Sequence, residues 1–224
     1  MKTSKTLMLT LALALATGAC SDGENPEPGT GEIPAQLLDV EGQAEDAFDK
    51  ALAGDFVGVA ATSKSMDRDW RVIRARLVID GALPVDLDAM DTSIAALVAT
   101  VSTDPTTVAR AANAVSATMD ELFALYHPTV PPAILALDYL GREVVLDARV
   151  APASATAHLD TVQATWDQVK PAVVAAGGGA DAARYDASIA SLRADVETGD
   201  GVALEAHANE GLEIIDAIEG VFAP

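Results

Sequence analysis

Only one cysteine occurs in the 224 residues, aromatic side chains make up 4%, and lysine plus arginine total 14 against 34 aspartates and glutamates. Each shortage removes a class of function. A lone Cys20 permits no internal disulfide, no Cys-x-x-Cys redox pair and no cysteine zinc site. The formal charge of −20 at pH 7 argues against nucleic acid and against docking on anionic lipid headgroups. There is no Gly-rich phosphate loop, no Cys-x-x-Cys-His haem attachment, no nucleophile elbow and no His-Glu-x-x-His helix. Without such constellations the chain reads as non-enzymatic.

Near the start, Lys2 and Lys5 precede an apolar run, Leu7 to Ala16, and then small residues up to Cys20. That layout is a bacterial export signal over residues 1–19, since the run is about half of the roughly 20 residues a spanning helix needs. Thr17-Gly-Ala-Cys20 resembles the lipobox of bacterial lipoproteins, with Thr17 where leucine is usual. The resemblance implies that Cys20 is the lipidated first residue of the mature protein, carrying acyl chains that hold it in a membrane. Ser21 after the cysteine resembles the sorting pattern for the outer membrane. Residues 20–32 are polar and rich in Gly and Pro, a tether without a core of its own. With Lys2 and Lys5 removed, the mature chain keeps twelve basic against 34 acidic residues, −22 net.

The remainder repeats. Asp91-Thr-Ser-Ile-Ala-Ala-Leu-Val-Ala-Thr-Val101 lies over Asp186-Ala-Ser-Ile-Ala-Ser-Leu-Arg-Ala-Asp-Val196, identical at seven positions. In the same register Trp70 meets Trp166; after one extra residue near Gly199, Asp104, Ala112, Asn113 and Asp120 meet Asp200, Ala208, Asn209 and Asp216, and Tyr126 falls on Phe222. A period near 96 residues is too long for a short-repeat solenoid, so a duplicated domain is expected, with copies at 33–128 and 129–224.

Alanine, leucine and charged residues dominate both copies, and Gly, Pro and Asp punctuate them at bundle-like intervals. Helices are expected near 35–53, 56–80, 86–102, 105–126, 131–150, 154–176, 180–197 and 201–222. The fold class expected is therefore all-α, two tandem four-helix bundles from an internal duplication. Leu159, Val162, Trp166, Val169 and Val173 follow the 3-4-3-4 spacing of one helix face, as do Val59, Ser63, Met66, Trp70, Ile73 and Leu77. Both tryptophans on such stripes read as core. Ser154 and Asp200 are expected N-caps, Gly177-Gly-Gly179 a helix stop, Pro171 a kink or early end, and His127 a structural residue at a helix C-terminus.

Three patterns could carry chemistry. His207 and Glu210 sit three apart on the last helix, one turn from each other, where imidazole and carboxylate can share a metal ion. The pair resembles the His-x-x-Glu motif of imelysin-like envelope bundles, although Glu205 stands where that motif has glycine. The resemblance implies iron or copper acquisition, with Fe, Zn or Cu as the ion. Asp138 and Arg142 form an i,i+4 pair beside Gly141, which admits a close neighbouring helix; a structural ion pair is the expectation. Lys64, Arg68, Arg71 and Arg74 make a basic row interleaved with Asp67 and Asp69, read as neutralising acidic neighbours.

Two functions follow. The first is a lipid-anchored periplasmic or cell-surface binding or assembly module, without cofactor, docking an envelope protein in a groove on a bundle or between the copies. The second is a metal-binding lipoprotein of imelysin-like type.

Overall fold

The computed structural model describes residues 33–100 and 104–222. The export signal 1–19, Cys20 and the tether 20–32 lie outside the described residues. Among the described residues the chain is all-α and has no strand. In order come α1 (Ala35–Leu52), α2 (Phe56–Asp80), α3 (Pro84–Ala99), α4 (Pro105–Ser116), α5 (Asp120–Ala124), α6 (Pro132–Val150), α7 (Ala155–Ala175), α8 (Gly179–Thr198) and α9 (Gly201–Val221). A 3₁₀ turn, Pro152–Ser154, precedes α7.

Punctuation residues act largely as their chemistry dictates. The carboxylates of Asp55, Asp104 and Asp200 accept the backbone N–H three residues on, closing the first turns of α2, α4 and α9. Gly81 and Gly199 take left-handed conformations after α2 and α8, where a side chain would be strained. Three expectations need correcting. Ser154 does not cap α7; it belongs to the 3₁₀ turn, and its hydroxyl donates to the Ala151 carbonyl. Pro171 does not end α7 early, because it lies exposed near the helix end, where water can take the carbonyl its missing N–H leaves free. The helix expected over 105–126 breaks into α4 and α5. Ser116 and Thr118 are poor mid-helix residues, and the Thr118 hydroxyl donates back to the Val115 carbonyl at 2.7 Å. The matching stretch of α9, Leu212 to Ile215, has no hydroxyl and stays helical.

Packing follows the apolar stripes. α1 lies against α2 and α4, and α3 closes that ring by packing on both. In the same way α6 lies against α7 and α9, and α8 closes the second ring. α4 and α5 also lean on α6. One apolar cluster fills the first ring around Met66, Trp70, Met90, Ile94, Leu122 and Phe123, and a second holds Trp166, Tyr185, Ile189, Ile215 and Ile218. The first cluster does not stop at residue 128; it continues through Val144, Leu146, Ala155 and Leu204. α6 is therefore buried on two sides. α9 comes so close that a Cβ on Gly141 would lie 2.7 Å from Leu212, as the glycine on that stripe led us to expect.

Equivalent residues make equivalent contacts. Trp70 Nε1 donates to Asp91 at 2.6 Å, and Trp166 Nε1 donates to Asp186 at 2.7 Å. A cation one turn beyond each tryptophan, Arg74 or Lys170, holds the other carboxylate oxygen. Each aspartate thus ties two neighbouring helices across a buried indole. Replacing Asp91 or Asp186 by alanine is expected to cost about 1 kcal/mol each, equal within error in urea denaturation, whereas asparagine, which keeps an acceptor for the indole, costs less.

Candidate functional site

Burial of charge concentrates on α6, in two places. Asp138, Glu143 and Asp147 are all buried, and each is met by arginine.

Toward α1 and α9, Arg142 Nη2 reaches Asp138 Oδ2 and Glu45 Oε1, each at 2.6 Å, and its guanidinium lies 5.7 Å from the centre of the Phe48 ring. The expected Asp138–Arg142 pair is therefore formed, and it extends to α1. Around this one cation stand Glu41, Glu45 and Asp49 of α1 and Asp216 and Glu219 of α9. Carboxylates outnumber the positive charge, and burial adds to the cost of ionising them. Burial, followed by repulsion from Glu45, raises Glu41 well above the usual carboxylate range. Asp138 is raised for the same leading reason, in spite of Arg142. Burial and Asp216 push Glu219 up to about 7, and Asp49 and Asp216 are also raised.

Toward α4 and α7 a second network forms. Arg110 of α4 binds Glu143 through Nη1 and Asp147 Oδ1 through Nη2, the latter at 2.9 Å. Asn113 Nδ2 donates to Glu143 Oε1 and to the Tyr139 carbonyl, while its own Oδ1 is buried without a partner. His158 Nδ1 lies 2.7 Å from Asp147 Oδ2. Glu143, Asp147 and His158 offer ligand atoms all within 4.8 Å of one another, the group of three metal-capable donors among the described residues. An open groove lined by Asp104, Thr107, Arg110, Ala111 and Val150 runs beside this network, between α4 and α6.

His207 and Glu210 are placed differently. His207 Nδ1 lies 2.6 Å from Asp195 Oδ2 across the α8–α9 turn, and that hydrogen bond raises its pKa. Glu210 is exposed, and these three do not form a ligand group like the one on α6 and α7. In the basic row, Arg68 pairs with Asp69, Arg71 with Asp67, and Arg74 with Asp88 and Asp91. Both tryptophans are buried in core. Sequence reasoning missed the Arg110 network, although Glu143 and Asp147, four apart on a helix buried nearly all round, are a visible signal.

No family model matches the chain, and neither the curated proteins nor the solved structures contain a match.

A carboxyl whose folded-state pKa lies above its unfolded value holds its proton more tightly in the fold. Its contribution is whole below the unfolded value near 4 and is lost as pH rises through the folded value. Unfolding free energy is accordingly expected to fall from pH 5 to pH 8, through the window where Glu219, at about 7, ionises. Glu219→Gln should flatten this decline in urea titrations. Arg142→Met should cost about 3 kcal/mol at pH 8, where carboxylates are left unpaired, and much less at pH 5.

Proposed function

We propose that the protein is a lipid-anchored, non-enzymatic module of the cell envelope, built from one helical unit used twice, that binds a partner in the groove between the units. What carries the reading is the order of Lys2, Lys5, Leu7–Ala16 and Thr17-Gly-Ala-Cys20 ahead of a wholly helical body. Among the described residues no helix is long and apolar enough to cross a membrane. Support for the twofold use of one unit comes from the paired indole–carboxylate contacts and the two rings of helices. The groove beside Arg110 offers cationic and hydroxyl groups from α4 at the seam between the rings. An outer-membrane address follows from Ser21 if enteric sorting applies.

A second reading, metal binding, is favoured by the Glu143–Asp147–His158 group more than by His207 and Glu210. Two carboxylates and one imidazole suit Fe, Zn or Cu. Arg110 already neutralises both carboxylates, so a divalent ion would have to displace its guanidinium. That competition places this reading second.

The two are tested separately. Mass spectrometry of the N-terminal peptide is expected to find acylated Cys20, and Cys20→Ser should move the protein from the membrane to the soluble fraction; unmodified Cys20 in a soluble protein would end the first reading. For the second, calorimetry with Zn²⁺ should find one site that His158→Ala weakens roughly tenfold or more and Arg110→Gln strengthens. Absence of binding in both the parent protein and Arg110→Gln would end it.

A further inference from the structure

Exposed apolar side chains gather at one end of the molecule. Val78, Ile79, Leu83 and Val85 are all exposed within eight consecutive residues at the α2–α3 turn, Ile79 by 77% and Val85 by 67%. Half-exposed Leu38, in the first turn of α1, is at the same end. The register of α1 against α2 fixes this. Gln43 meets Asp69, and Asp46 and Lys50 both meet Thr62; continued downwards, that antiparallel pairing sets the start of α1 beside the last turn of α2. Ile33 and Ala82, which lead into α1 and out of α2, are each partly buried against the first core cluster. The far end also has exposed valines, Val57, Val98, Val150 and Val202, one at each of four helix ends and not in one run of sequence. Single exposed apolar residues at helix ends are ordinary on a soluble surface; four within eight residues of one turn are a stronger signal.

The chain enters the fold at this same end. Resting on the reading of Cys20 as the lipidated residue, we infer that the α2–α3 tip is a docking surface for a zwitterionic bilayer, so that the module stands end-on with its α2–α3 turn against the membrane. Reach supports this orientation. Twelve residues lie between Cys20 and Ile33, and the steps from one to the other span at most about 45 Å fully extended. The bundle, measured along the 25 residues of α2, is roughly 37 Å long. Bringing the far end to the membrane would use nearly all of that length, whereas the near end is within reach of most arrangements of the chain. Charge selects the lipid. Asp80 is held by Arg76 and the Tyr126 hydroxyl and Asp88 by Arg74, while Asp86 adds a further carboxylate beside the tip, and anionic headgroups would gain no attraction from so acidic an end. Apolar side chains whose nearest cations, Arg74 and Arg76, are already paired with Asp88, Asp91 and Asp80 suit a neutral interface, where their burial is favourable in itself.

The test uses the mature lipidated protein in phosphatidylcholine vesicles. Acylation blocks Cys20, so Leu83→Cys and Val57→Cys each give one site for a nitroxide label. Power saturation is expected to give the Leu83→Cys label a several-fold higher ratio of oxygen to nickel-chelate accessibility than the Val57→Cys label, which should stay in water. Equal ratios at the two positions in vesicle-bound protein, or the reverse order, would overturn the docking surface and leave the anchor intact. Dipolar broadening between Leu83→Cys labels would overturn it in favour of a second copy covering the tip. Protein that stays in the supernatant with unacylated Cys20 would overturn both the anchor and the inference that rests on it.

Discussion

Helix α6 has to satisfy two sets of neighbours with one surface, and the rest of the structure depends on how it does so. It closes the second ring with α7 and α9 while α4 and α5 press on it from the first. An apolar helix could be buried this way with no polar groups at all. α6 instead carries Asp138, Glu143 and Asp147 into the interior. Each is matched by a guanidinium: Arg142 on α6 itself, reaching across to Glu45, and Arg110 from α4. Buried ion pairs contribute little net stability compared with apolar packing, but a buried carboxylate without its arginine is costly. The networks therefore act mainly on register. Only one alignment of α1, α4, α6 and α7 lets both arginines and His158 find their partners together.

The two networks differ in balance. Arg110 meets two carboxylates, and the His158 imidazole stands beside one of them. Arg142 stands among an excess of acids, and burial with their mutual repulsion raises the pKa of Glu41, Asp138 and Glu219. The first network is next to an open groove, the second lies at the junction of α1, α6 and α9. A protein with a surface this acidic gains solubility from its charge and places the cost where α1 and α9 converge on one arginine.

Much of the fold was legible because it is punctuated. Proline at 84, 105 and 132, aspartate caps and glycine stops delimit helices whose stripes keep bundle spacing, and the observed boundaries mostly fall within two residues of those expected. The repeat also points at the right residues, since Trp70 and Asp91 recur as Trp166 and Asp186. Their contact was not legible, since 21 or 20 residues and a turn separate each indole from its carboxylate. The break at Ser116–Thr118 was hidden by good propensity around it. Chemistry was harder still. His207-x-x-Glu210 stood out as a local pattern, yet the histidine's partner is Asp195 on the preceding helix. The donors that converge, Glu143, Asp147 and His158, belong to two helices, and Arg110 lies 33 residues before Glu143. Periodicity along one helix does not report which helices meet.

If α6 joins both rings through a continuous core and two ion networks, the rings cannot unfold independently. The most direct test follows urea unfolding in two single-tryptophan proteins, Trp166→Phe reporting on the first ring and Trp70→Phe on the second, each compared with its own circular dichroism. Fluorescence and dichroism transitions that coincide within each protein are the predicted result. A second-ring tryptophan that loses its buried environment well before or after the helical signal collapses would contradict a single cooperative body.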